Sequence, residues 1–306
     1  MDNSRWTIAM KRWQQGHRLL TIDHRLFFVA LCLILISHQA NAQRPDPIKL
    51  KQWEAMGDTL MSQQQYPQAT KYYTKIIDAT KLSEKADYNT LYKRAISQYY
   101  TEGQHDLALI DVDRFIKEFP AVPQSHILRA LIYRIKEDGD KQLEDLNFAL
   151  QFQPANPGLL KWRAGLLLDK EEYEKAKLDA QRAIYYQDDP EAEAYLAFAF
   201  FNLEQPDSAL LAINRAIELD YSYVPAYLYA GSFCLQSGEY ELAMKYLSLG
   251  ARVDSENAAL WFYKGAALIE LEQIDQACSC LNKAFYMGYD DASGYLEEYC
   301  YKTEDP

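Results

Sequence analysis

Histidine and cysteine are scarce in this chain of 306 residues, with five of each, and basic side chains are outnumbered 44 to 32. The formal charge of −12 argues against binding a nucleic-acid backbone, because phosphate contacts need Lys and Arg gathered on one face. Five cysteines are too few for a small disulfide-stapled scaffold. Glycine and proline number only 12 and 11, so the composition is neither collagen-like nor that of a disordered linker. Beyond residue 42 there is no run of about 18 apolar residues, the least that spans a bilayer as a helix. The motifs H-E-x-x-H and G-x-S-x-G and a glycine-rich phosphate loop are all missing. Only His105 and His126 follow residue 42. Two histidines do not complete the usual zinc sets unless cysteine or carboxylate joins them. His105 falls in an expected turn and His126 in an expected packing slot, and both read as structural. Acidic pairs such as Glu171-Glu172 and Glu297-Glu298 belong on wet helix faces. The sequence therefore predicts no catalytic residue, no metal site and no cofactor.

What the chain does have is apolar bulk, 49% of its residues, and 24 tyrosines. That is enough for a sizeable core, in one or two globular domains or one long repeat array. The first 42 residues stand apart. Arg5, Lys11, Arg12, Arg18 and Arg25 precede the uncharged run LFFVALCLILIS at residues 26–37, and Ala40-Asn41-Ala42 follows it. A basic start, a short apolar run and a small-x-small site describe a secretory signal peptide cut after Ala42. An uncleaved anchor is the alternative, and Met10 is a second candidate start. Cys32 lies inside the run behind Leu31, where a lipoprotein signal needs a small residue, so it reads as an ordinary apolar position. Cleavage leaves a net charge of −15 and places the chain in the periplasm or outside the cell, where disulfides are allowed.

The remainder repeats. Ala69, Ala108, Gln142, Ala176, Ala209, Ala243 and Ala277 align at spacings of 39, 34, 34, 33, 34 and 34 residues. A second ladder of small residues runs 12 or 13 positions earlier: Gly57, Ala95, Ala130, Ala164, Ala197, Gly231 and Gly265. A third follows the first at Ala149, Ala183, Ala216, Gly250 and Ala284. Small residues let two helices approach, and large apolar residues such as Tyr73, Leu146, Ile213, Leu247 and Leu281 fill the space between. Pro120, Pro154, Pro190, Pro206 and Pro225 fall between helices. Gly103, Gly139 and Gly238 fall in turns, where glycine takes the left-handed conformation cheaply. A connection from Asp78 to Tyr88 explains the long first interval.

Trp53 with Gly57, Tyr66, Ala69 and Tyr73, and Trp261 with Gly265, Leu268, Ala277 and Ala284, carry a resemblance to the tetratricopeptide repeat family. Residues 46–289 resemble it in seven units. The third unit departs most, with His126 in the aromatic slot and Gln142 in the alanine slot. The resemblance implies an all-α fold: a right-handed α-solenoid of about seven helix pairs over 43–289. Residues 290–306 then form a C-terminal cap helix, with Ala292, Tyr295, Leu296 and Tyr299 on its apolar stripe, and a frayed tail. Such arrays bury a continuous core by stacking and need polar ends.

On a helix, Cys278 and Cys280 point about 200° apart and do not pair with each other. A disulfide from the last repeat to the cap would join Cys278 to Cys300, with Cys280 as the alternative to Cys278. Cys234 sits in a core slot. The resemblance also implies a groove lined by the first helices. The Lys/Asn clamp that binds acidic C-terminal peptides in one subset is missing, since Lys161 is the only base at the inner positions. The inner face is instead apolar and aromatic, at Tyr92, Tyr99, Phe198, Phe201 and Phe262, the residue types of binding hot spots. The expected function is a non-catalytic scaffold or adaptor in the cell envelope, holding a protein or peptide partner. It involves neither nucleic acid nor membrane insertion after cleavage. A sensory or regulatory module, and last a thiol-redox or metal-dependent factor, are the alternatives.

Overall fold

The computed structural model describes residues 46–80 and 87–301. The leader read at 1–42 and the tail after Tyr301 lie outside the described residues. Two compact units divide the chain, residues 1–128 and 129–306. Among the described residues all regular structure is helical. The first unit contains α1 (Pro47–Ser62), α2 (Tyr66–Thr80), α3 (Tyr88–Tyr99), α4 (His105–Glu118) and the start of α5 (Pro123–Ile135). The second continues α5 and adds α6 (Gly139–Phe152), α7 (Pro157–Asp169), α8 (Tyr173–Tyr186), α9 (Pro190–Asn202) and α10 (Pro206–Leu219). It ends with α11 (Val224–Gln236), α12 (Tyr240–Val253), α13 (Ala258–Glu270), α14 (Ile274–Tyr286) and the short α15 (Ala292–Tyr295). Consecutive helices pack as pairs, for example α1 with α2, α7 with α8, and α13 with α14.

Local chemistry fixes where these helices start and stop. The side chains of Asp46, Asp87, Asn156, Asp189 and Asn257 accept backbone N–H groups of the first turns of α1, α3, α7, α9 and α13. Each satisfies a donor that the helix itself leaves unpaired. Every turn inside a pair contains one residue with positive φ: Gln64, Gly103, Glu137, Glu171, Glu204, Gly238 and Glu272. These positions repeat the 39, 34, 34, 33, 34 and 34 spacing of the alanine ladder. The left-handed residue lets the next N–H reach back to the helix, as from Glu172 to Leu167 O at 2.8 Å and from Gln273 to Leu268 O at 2.8 Å. Gly139, expected in that role, is instead the first residue of α6, and the left-handed position falls to Glu137.

The small-residue ladders are the contact lines of the core. Ala95, Ala130, Ala164 and Ala197 are wholly buried, as are Ala69, Ala108, Ala176, Ala209, Ala243 and Ala277. A Cβ on Gly57 would lie 2.7 Å from the Tyr73 ring, one on Gly231 2.5 Å from Leu247, and one on Gly265 2.7 Å from Leu281. A further repeating contact ties first helix to second. Arg94 forms a two-pronged pair with Asp111 at 2.6 and 2.9 Å. Arg129 does the same with Asp145 at 2.9 and 2.7 Å, and Arg163 with Asp179 at 2.6 and 2.7 Å. Each aspartate is buried, so the forked guanidinium is what makes its charge tolerable.

The C-terminal segment is only partly the helix its apolar stripe predicts. After the four residues of α15 the chain widens into a π-helical turn, Leu296–Cys300, closed by Tyr301 N donating to Leu296 O at 2.9 Å. Ala292 and Leu296 are buried against α14, while Tyr295 and Tyr299 stay partly exposed. The Tyr301 hydroxyl donates to Asn282 Oδ1 at 2.8 Å, which fixes the end of the segment on α14. The structure joins Cys278 to Cys300, with Cα atoms 5.7 Å apart, and leaves Cys234 and Cys280 as buried thiols.

Candidate functional site

The largest described cavity of the second unit, about 900 Å³, opens on the face made by α7, α9 and α11. A cavity of about 480 Å³ shares Phe198 and Tyr229 with it and extends to Ala259 and Tyr263 on α13. Together they form one continuous groove along the first helices of successive pairs. Four of its rings come from one register. Trp162, Tyr195, Tyr229 and Tyr263 each lie two residues before a small contact residue, at spacings of 33, 34 and 34. All four are half-buried. Gly165 makes room for the second of them, since a Cβ there would meet the Tyr195 ring at 3.3 Å. Phe198 packs edge-on to Tyr229, with centroids 5.7 Å apart. The Arg134 guanidinium lies 5.2 Å over the Trp162 ring, a favourable cation–π arrangement.

The polar groups of the groove are mostly tied to one another. Lys161 Nζ pairs with Asp189 at 2.7 Å and with Glu191 at 2.8 Å. Burial disfavours the ammonium, but the two carboxylates outweigh it and hold the Lys161 pKa above its ordinary value. The Tyr195 hydroxyl donates to the same Glu191 at 2.9 Å. Burial above all, then the neighbouring Glu191, pushes the Tyr195 phenol up, and burial does the same for Tyr229, so both stay neutral donors. With Lys161 neutralised, Asp169 and Glu171 leave the groove acidic. Gln142, at the one non-alanine position of its ladder, is buried and lines the groove with a side-chain carbonyl that has no partner.

Residues 196–252, which span α9 to α12, match the family model described as tetratricopeptide repeat. The helix pairs within that stretch are similar to tetratricopeptide repeats. Solved structures agree on the fold, an all-α repeat solenoid. A tetratricopeptide repeat protein from Parabacteroides merdae superposes with a TM-score of 0.63 at 17% identity, over 81% of this chain and 98% of that one. The C-terminal part of a repeat protein from Cytophaga hutchinsonii gives 0.61 at 15%, over 79% and 98%. PilW, a type IV pilus biogenesis factor, gives 0.59 at 15%, over 68% and 98%. No curated protein matches the sequence.

The five aromatic residues expected to form the groove separate. Phe198 lines it. Phe201 stacks face to face on Phe233 at 4.3 Å. Phe262 is 8% exposed, stacked on Tyr289 at 4.7 Å and edge-on to Tyr295 at 5.2 Å. Phe262 is therefore core beneath the C-terminal segment and not a contact residue: the aromatic residues after α14 cover it. Tyr92 and Tyr99 lie in the first unit, where Tyr92 packs on Phe115 at 4.8 Å and Tyr99 on Tyr100 at 4.8 Å. Trp162, Tyr195, Tyr229 and Tyr263, which the sequence analysis did not single out, lie two residues before the small contacts of the last four repeats. His126 is structural in its surroundings, its Nε2 3.0 Å from the Pro120 carbonyl oxygen.

Proposed function

We propose that this protein is a non-catalytic adaptor of the cell envelope, exported by its leader, that holds an apolar segment of a partner protein across Trp162, Tyr195, Tyr229 and Tyr263. Tetratricopeptide repeats generally mediate protein–protein interaction. The observation that carries the reading is the aromatic ladder: four half-buried rings in one register beside a glycine that admits one of them. Rigid aromatic surface gives binding energy at low conformational cost. The ligand is apolar with basic rather than acidic flanks, because Lys161 is already paired and the free carboxylates are Asp169 and Glu171.

The test is capture from the native source. The chain from Gln43 onward, tagged at its C-terminus, is crosslinked in the exported compartment beside a Tyr195→Ser, Phe198→Ser, Tyr229→Ser variant. The same partner is expected with the parent protein and is expected to fall at least tenfold with the variant at equal helicity. Equal recovery by the two would reject the groove. Recovery of the parent protein in the cytosolic fraction would reject export.

A further inference from the structure

The Arg–Asp ladder runs through the second to fourth repeats and ends at the fifth, and the first, sixth and seventh also lack it. Where α3, α5 and α7 carry Arg94, Arg129 and Arg163, α9 carries Leu196. Where α4, α6 and α8 carry Asp111, Asp145 and Asp179, α10 carries Ala212. A carboxylate is still present, one helical turn before Leu196. Glu193 occupies the slot that Trp53, Leu160, Tyr227 and Trp261 fill in other repeats. It is 7% exposed, and its carboxylate makes no hydrogen bond or ion pair with any described residue. A carboxylate on a side chain this little exposed, with no ion pair, is costly, and other repeats hold an apolar residue in this slot except the third, which holds His126.

Glu193 lines a surface cavity of about 380 Å³, walled by Leu196, Phe200, Leu211 and Ala212, with Arg215 and Glu218 at its edge. One repeat earlier, the matching cavity contains the paired Arg163 and Asp179. The fifth repeat thus keeps the apolar walls and the arginine at the edge, loses both members of the inner Arg–Asp pair, and gains a carboxylate from another slot, Glu193. Arg215 attracts Glu193 from the edge of the cavity but makes no ion pair with it, and its carboxylate contacts are Glu218 at 3.5 Å and Asp188 at 3.8 Å. Leu211 at the wall is 74% exposed.

We propose that this cavity is a second binding site, and that it takes an arginine side chain from a partner polypeptide, with the guanidinium on Glu193 and the aliphatic stem along Phe200. A planar guanidinium suits a carboxylate set among apolar walls better than a strongly hydrated ammonium does. Asp188 and Glu218 bias the mouth toward a cation. The occupant is a chain rather than free arginine because Leu211 extends the apolar wall into solvent, where only a residue flanking the arginine covers it. The site stands whether or not the aromatic groove binds anything.

The experiment uses the chain from Gln43 onward, immobilised, and a pool of acetylated, amidated heptapeptides with a central arginine and randomised flanks. A second pool carries citrulline in its place, which keeps the shape and loses the charge. The arginine pool is expected to be retained at least tenfold over the citrulline pool. That excess should vanish with Glu193→Leu, a variant expected to melt no lower than the parent because leucine fills this slot elsewhere. It should persist with the groove variant Tyr195→Ser, Phe198→Ser, Tyr229→Ser, which separates this site from the other. Equal retention of the two pools, full retention by Glu193→Leu, or competition by free arginine as effective as that of the selected peptides would each overturn the proposal.

Discussion

Gly231 shows how much of this fold is decided by single atoms. Its missing Cβ is the space that Leu247 fills, and a methyl placed there would sit 2.5 Å from both the Cγ and a Cδ of that leucine. Leu247 is itself wholly buried, so it has nowhere to retreat. Gly231→Ala is expected to destabilise the protein by about 2 kcal/mol, the usual cost of overpacking a tight core. Adding Leu247→Ala should cost less in that background than in the parent, because the two side chains compete for one volume. Chemical denaturation of the four proteins measures this, and additive losses would show that the close approach is not what the glycine provides. These contact residues were legible in the sequence, since successive intervals of 33 or 34 residues separate small residues at the same register. The residues facing the groove were not. Whether Phe262 is exposed depends on Tyr289 and Tyr295, which belong to the segment after α14.

At the scale of the helix pair, the turns carry an unused reserve of stability. Glu204 and Glu272 sit at φ 58° in turns where Gly238 performs the same task at φ 77°. A side chain in the left-handed region costs roughly 1–2 kcal/mol, offset in part by the roughly 0.5–1 kcal/mol of chain entropy that glycine loses on folding. Glu204→Gly with Glu272→Gly is therefore expected to raise stability by about 1 kcal/mol in total, read as a higher denaturation midpoint with an unchanged slope. A lower midpoint would mean that the glutamate side chains do something at these turns that their exposure does not show. The sequence-level expectation that glycine marks these turns succeeds at Gly103 and Gly238 and fails at Gly139. The left-handed position is set by the end of the first helix, and glutamate tolerates it when the helix-ending hydrogen bond is made. The Arg–Asp ladder of α3 to α8 is legible in the same way, as two charged positions about 34 residues apart that change together, and it stops where Leu196 and Ala212 begin.

At the scale of the whole molecule, the leader, the cysteines and the compartment form one argument. A joined Cys278 and Cys300 persists only in an oxidising environment, and the leader is the feature that would deliver the chain to one. Closing 22 residues between α14 and the final turn adds about 3 kcal/mol in the loop-entropy picture. The two remaining thiols report nothing in the folded state, because burial pushes Cys234 up to about 11 and raises Cys280 as well. They must be counted after unfolding. Protein isolated from its native source, denatured and alkylated without reductant, is expected to begin at Gln43 and to take up two alkyl groups, on Cys234 and Cys280. The same chain made from residue 43 onward in a reducing cytosol should take up four and unfold at a lower denaturant concentration. Four alkyl groups on the native-source protein, or a mass that still includes residues 1–42, would break the link between export and the closed C-terminal segment. Two alkyl groups in both preparations would show that the bond forms without export, and that the leader serves delivery to the partner rather than oxidation of the fold.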